Sequence, residues 1–203
     1  MFFCIADTLR HISSFPGVRI RKNTEGKMTA EYIYKFVKAC EAVYGTRDPE
    51  LILRERKATI KNGAPDGLRG MICAVKGKVY VAIGNDMPES MRRITAAHIL
   101  GHAVLHRKRI FSGKIYEEPS DDSLYGVAER EADVFAAELL ITDDDILTLR
   151  NSGMSEGQIV SSFGTMRGLV MHKLFSMRAR GIPVGDEACR PDFLKKCDIE
   201  LFF

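Results

Sequence analysis

Nowhere do 18 apolar residues run together in this chain. A helix needs about that many to cross a bilayer, so no transmembrane helix is expected. The opening MFFCIADTLR has no basic start. Asp7 and Arg10 interrupt an apolar run already too short for a secretory signal. No CxxC pair occurs, which argues against a cysteine zinc site. The five cysteines (Cys4, Cys40, Cys73, Cys189, Cys197) are odd in number and irregular in spacing. That is the pattern of reduced thiols in a cytoplasm, not of a disulfide framework. Charge of one sign is scarce too: 30 basic against 27 acidic residues leave +3, too little to announce a nucleic-acid binder. There is no internal repeat and no low-complexity tract.

What is present is ordinary for a globular protein: 203 residues, 45% hydrophobic and 28% charged. A domain of this length buries roughly 70% of its unfolded surface and needs no staples. Residues 1–27 differ in composition from the rest of the chain and are read as an extension, 28–181 as one domain, and 182–203 as a tail. From Met28 the pattern turns helical, with Tyr32, Phe36, Val37, Cys40 and Val43 at three- and four-residue steps, Thr29 as cap and Gly45 as stop. A short helix fits 49–56 behind Asp48 and Pro49. A strand at 58–61 precedes two β runs, 70–75 and 78–83, which Lys76-Gly77 joins as a hairpin. A long helix is expected from Glu89 to about Arg107 and another from Leu124 to about Ile141. Between them Phe111 to Ser123 reads as a mobile loop beside the cleft, with Gly113, Pro119, Glu117, Glu118, Asp121 and Asp122. Further helices are expected at 143–150, 155–162 and 167–178. Helices outnumber strands and the strands cluster, so the expected class is α+β, mostly helical, with a small antiparallel sheet before the helix that begins at Glu89.

That helix carries the chemistry. Three of the five histidines fall in Ala96–His106 at four-residue steps. His98 and His102 lie one turn apart, about 40° around the axis, which lets two imidazoles grip one tetrahedral Zn²⁺. Gly101 leaves room for a neighbouring element. The following helix offers carboxylates in Glu129-Arg130-Glu131-Ala132-Asp133. Glu129 can complete a zinc triad while Asp133 orients a histidine. Glu131, roughly 200° away around the axis, is the competing third ligand. His106 is read as a cation near the helix C-terminus, with Arg107, Lys108 and Arg109 behind it. His11 and His172 have no identifiable partners.

In the zinc peptidase motif His-Glu-x-x-His, the glutamate moves a proton from water to the departing amine. Here that position is Ile99, which transfers no protons. Losing general acid–base help typically costs about 10²–10⁴-fold in rate.

With HILGHAVLH at 98–106, AEREADVFAAELLI at 128–141 and MSEGQIVSSFGTMRGLVMHKL at 154–174, the chain resembles the ImmA/IrrE family of metallopeptidase-like proteins. The likeness spans roughly residues 30–180 in the same order. It implies a zincin-like fold and Zn²⁺ held by His98, His102 and Glu129. Glu129 is chosen because the family pattern of glutamate, two residues and alanine ends here at Ala132. Family members are bacterial or phage regulators that cut or inactivate helix-turn-helix repressors, so a repressor of that type is the expected substrate or binding partner, in the cytoplasm and without a membrane. Ile99 departs from the family pattern, and peptide hydrolysis is expected to be severely impaired.

A DNA-binding regulator is the competing reading. Ile159, Val160, Phe163, Gly164, Leu169 and Val170 have helix-turn-helix spacing. The second helix offers only Arg167, His172, Lys173 and Arg178, so direct DNA binding is not expected and a packing helix pair is.

Overall fold

The computed structural model describes residues 28–119 and 126–184. The expectations for residues 1–27, for most of 182–203 and for 120–125 lie outside the described residues.

Helix α1 (Ala30–Tyr44) starts where the side chain of Thr29 accepts from the Tyr32 amide, and stops at Gly45 in the left-handed region, φ 64°. Its face of Ile33, Phe36, Val37 and Cys40 is buried. Helix α2 (Pro49–Glu55) is capped by Asp48. Strands β1 (Thr59–Asn62), β2 (Leu68–Val75) and β3 (Lys78–Ile83) come next. Lys76 and Gly77 both have positive φ, 49° and 76°, as a two-residue turn between right-twisted strands requires. Helix α3 (Glu89–Leu105) and helix α4 (Arg107–Phe111) precede strand β4 (Tyr116–Pro119). Helices α5 (Val127–Leu140), α6 (Asp143–Asn151), α7 (Glu156–Ser162) and α8 (Arg167–Ala179) complete the body. Capping boxes at Thr142/Asp145 and Ser155/Gln158 start α6 and α7.

The architecture is α+β, with two departures from the sequence expectation. The sheet has the order β1-β3-β2-β4 and is mixed: β2 pairs antiparallel with β3 and β4, but β1 runs parallel to β3. A parallel neighbour needs a crossover, and β2 itself supplies it. Moreover, part of the expected loop at 111–123 is the edge strand β4, which places Tyr116 opposite Ile72 and Glu117 opposite Met71. That strand lies after α3, not before it.

Two glycines set the position of α3. A Cβ on Gly70 of β2 would fall 2.6 Å from Ile99 Cδ1 and 2.8 Å from Thr95 Cγ2, so α3 rests directly on the bare backbone of the sheet. A Cβ on Gly101 would fall 3.0 Å from Ala132 Cα, so α3 and α5 touch backbone to backbone. The core fills in around this contact with Leu100, Phe135, Leu139, Ile72, Ile83 and Leu174, all essentially inaccessible. Ile182 and Val184 also pack on it.

On the far side of α5 a buried ionic cluster locks α5, α6 and α8. Lys173 Nζ is 2.6 Å from both Glu138 and Asp143, and Arg180 bonds the same two carboxylates. The Arg180 guanidinium also stacks 3.9 Å above the Tyr34 ring of α1. The would-be recognition helix α8 is thus committed to packing: Leu169, Val170, Lys173, Leu174 and Met177 are all buried.

Candidate metal centre

The four-residue step of His98 and His102 on α3 and the step from Glu129 to Asp133 on α5 face each other across the Gly101–Ala132 contact. His98 Nε2 and His102 Nε2 are 3.0 Å apart. Glu129 Oε2 stands 3.2 Å from the first and 3.1 Å from the second. These three residues form the only metal-competent group of histidine and carboxylate ligands among the described residues. Ligands at zinc's bond lengths of about 2.0–2.1 Å in tetrahedral geometry lie roughly 3.3 Å from one another. The observed triangle is slightly tighter than that.

The proton arrangement supports a cation more strongly than the spacing does. His98 Nδ1 is 2.8 Å from Asp133 Oδ1. A carboxylate only accepts, so Nδ1–H donates, and when the ring is neutral Nε2 carries a lone pair. On the other side, His106 Nε2 is 2.8 Å from Glu131 Oε2, and His106 Nδ1 is 3.0 Å from His102 Nδ1. Glu131 takes the Nε2–H of His106. The arrangement that suits a metal has His102 Nδ1–H donating to His106 Nδ1, with His102 Nε2 bare as well. In that arrangement three electron-pair donors converge at 3.0–3.2 Å. With no proton on either Nε2 they repel one another unless a cation sits among them, so this set of donors fits a divalent metal.

Burial shapes the electrostatics. Burial pushes His102 down to about 4, more than its contact with Glu129 raises it, so its imidazole is neutral near neutral pH. Glu129 is desolvated as well, but its bonds to His102 and His98 outweigh this and hold it at about 2. Asp133 stays below its ordinary value for the same reason, its bond to His98 overcoming burial. His98 and His102 are buried, whereas the Glu129 and Asp133 side chains are 22% and 23% exposed, so the centre opens towards the first turns of α5.

Of the residues singled out in the sequence, His98, His102 and Glu129 meet at one point and Asp133 holds His98 from behind. Glu131 is not in the triangle; it is buried, bonding His106 Nε2 and accepting the Met28 amide at 2.7 Å. His106 caps the C-terminal end of α3 as expected, and its ring is buried against His102 and Glu131. Ile99, 2% exposed, packs over Gly70. His172 does have a partner: its Nε2 reaches to 3.8 Å from Asp133 Oδ2. Tyr116 of β4 stacks on His102, ring centroids 4.0 Å apart and planes 27° from parallel. Neither neighbour was visible in the sequence, because α8 and β4 reach the site only through long-range packing. His11 lies outside the described residues.

The model of the IrrE N-terminal-like domain, a peptidase family designated M78, matches residues 55–175. That is more than half of the chain, which belongs to this family, and the family's zincin-like fold is the fold seen here. No curated protein matches the chain.

Proposed function

We propose that this IrrE-like domain is a zinc-binding regulator that engages a helix-turn-helix repressor-type protein and hydrolyses it poorly or not at all. The observation that carries the second half is Ile99. It occupies the position after the first metal-binding histidine and lies closed in between α3 and Gly70.

His98, His102 and Glu129 would hold the metal. When bound, Zn²⁺ supplies Lewis acidity, polarising a carbonyl and lowering the pKa of water towards ~7. The chain's own groups divide the remaining work. Asp133 and His106 stand against the Nδ1 atoms of the two imidazoles, which turns each Nε2 towards the metal. Proton transfer to a departing amine needs a carboxyl group that is free to move a proton. Glu129 has its oxygen engaged at the triangle, and Asp133 is turned to His98. Ile99 has no proton to give.

The repressor partner is supported by the family alone. The test uses the full chain beside Ile99→Glu, both loaded with zinc and incubated with candidate repressors. The unmutated chain is expected to bind a repressor without cutting it, and the variant to cut at least ~10²-fold faster. Thermal melts of both proteins control for burying a carboxylate in an apolar slot. Equal cleavage by the two would overturn the reading.

A further inference from the structure

We infer that a hollow beside helix α4 is a docking site for an acidic segment of a partner protein that carries one apolar anchor side chain. The hollow is lined by Leu53 of α2, Ile72 of β2, Val79 of β3, and Ile110 and Phe111 of α4. It holds about 330 Å³ of space, part of it open to solvent. That is the foot of the range for pockets that enclose a whole small molecule, so a side chain of leucine or phenylalanine size suits it better. Phe111 is itself 39% exposed, an apolar ring left standing in water at this place.

Charge decides what the anchor is attached to. Arg56, the residue that ends α2, also lines the hollow. Its half-buried guanidinium donates to Tyr44 Oη at 3.3 Å and to the Ala103 carbonyl at 3.4 Å. Both bonds are long and both acceptors are neutral. No carboxylate pairs with Arg56 among the described residues, and its chain neighbour Glu55 is exposed. A cation drawn partly out of water without a counter-ion is a cost that an arriving carboxylate relieves with charge-assisted bonds. Arg107 adds a second guanidinium to the lining, 4.1 Å over the Phe111 ring. The chain around them is one-sided: Ile72–Val79 and Ala103–Tyr116 hold six lysines and arginines and no aspartate or glutamate. Against a net charge of only +3, that is a local concentration of positive charge. A phosphate backbone would use the charge but leave the apolar lining wet, which favours a polypeptide over a nucleic acid. None of the lining residues belongs to the metal-competent group, so the site goes beyond the metal reading and is tested without it.

The probe is a displayed library of random dodecapeptides, selected on the full chain and counted against an unrelated control protein. Enriched peptides are expected to carry a leucine, phenylalanine or methionine with aspartate or glutamate on both sides. The most enriched one, dye-labelled, should bind the full chain saturably in fluorescence anisotropy and bind more weakly as salt rises. Replacing its apolar anchor by serine should weaken binding by about tenfold or more. Arg56→Gln should do the same by removing the charge, and Phe111→Ser by removing part of the lining. Thermal melts show whether Arg56→Gln, which disturbs the contacts to Tyr44 and Ala103, still folds. If it does not, the exposed Phe111→Ser position and the serine-substituted peptide decide. The inference is overturned if no peptide is enriched over the control, if the enriched peptides are neutral or basic, or if binding survives both Phe111→Ser and the loss of the anchor. Duplex DNA or phosphatidylserine vesicles that bind the full chain more tightly than the selected peptide, and lose that binding in a folded Arg56→Gln variant, would also overturn it by making the patch a phosphate-binding surface.

Discussion

Gly101 and Ala132 are in backbone contact: a Cβ added to the glycine would lie 3.0 Å from the Cα and 3.1 Å from the carbonyl oxygen of the alanine. Because His98 and His102 on one helix and Glu129 and Asp133 on the other flank this point, the separation of α3 and α5 is also the separation of His98 and His102 from Glu129.

Gly101→Ala should therefore act on stability and metal together. Alanine gains about 1 kcal/mol of helix propensity over glycine. The neighbours it meets are main-chain atoms of Ala132 and the Phe135 Cβ at 3.2 Å, which cannot swing aside. Overpacking of this kind costs typically about 1–3 kcal/mol, so the net change should be destabilising. Urea unfolding measures the first effect and zinc titration the second. A variant more stable than the parent, with unchanged zinc affinity, would show that the helices can part freely.

The buried ionic cluster offers a contrast with no role at the centre. Lys173 is 1% exposed and is held between Glu138 and Asp143. Lys173→Met leaves the buried Glu138 and the half-buried Asp143 with Arg180 as their remaining cation. Breaking a buried pair by removing one partner costs about 3–5 kcal/mol, and the surviving Arg180 contacts favour the lower end of that range. Chemical denaturation checks the loss. Zinc uptake by the folded variant should be unchanged, since the cluster lies across α5 from the ligands.

The elements that announce themselves locally were legible in the sequence. Periodicity located α1, α3 and α5, Thr29 and Gly45 bounded α1, the Lys76-Gly77 turn located the hairpin, and the one-turn spacing of His98 and His102 located the candidate centre. What was illegible depends on partners far along the chain. Strand β4 is four residues of polar, proline-ending sequence, and it is a strand only because Tyr116 and Glu117 find Ile72 and Met71 of β2. The parallel placement of β1 is a tertiary choice of the same kind. His106 carried the right helical step, yet its job is set by Glu131, whose own anchor is a backbone amide 103 residues away. Glu131 therefore looked like a rival ligand when read from α5 alone.

The three carboxylates of α5 should separate cleanly on zinc titration. Glu129→Ala removes an oxygen from the triangle and should abolish tight binding, as should His98→Ala. Asp133→Ala leaves the ligands in place but frees the His98 ring, for a loss of about 10–100-fold. Glu131→Ala should weaken binding to a similar extent through His106. If Glu131→Ala abolishes binding while Glu129→Ala is harmless, the assignment of the triangle is wrong.

Acid should weaken the metal-free fold in two steps, and the sign is set by where each proton binds. His102 has an ordinary value of 6.5 and is pushed by burial to about 4 in the fold. Between those pH values the unfolded chain takes up a proton that the folded chain refuses, so stability falls as pH drops through this window. At 1.36 kcal/mol per pH unit the step amounts to about 3 kcal/mol. Asp143 is desolvated, but its bonds to Arg180 and Lys173 prevail and hold it at about 2 against an ordinary 3.8. Its contribution is complete above the unfolded value and is lost as pH falls from there towards 2, and Glu129 adds a loss of the same sign below its ordinary 4.5. Urea midpoints of the metal-stripped full chain should thus decline already between pH ~6.5 and ~4, before the carboxylates titrate. His102→Ala should flatten that first decline and leave the Asp143 part of the second in place, while Glu129, without its His102 bond, contributes less. A first step that survives the substitution, or stability that rises on acidification, would mean that His102 is not held neutral in the fold.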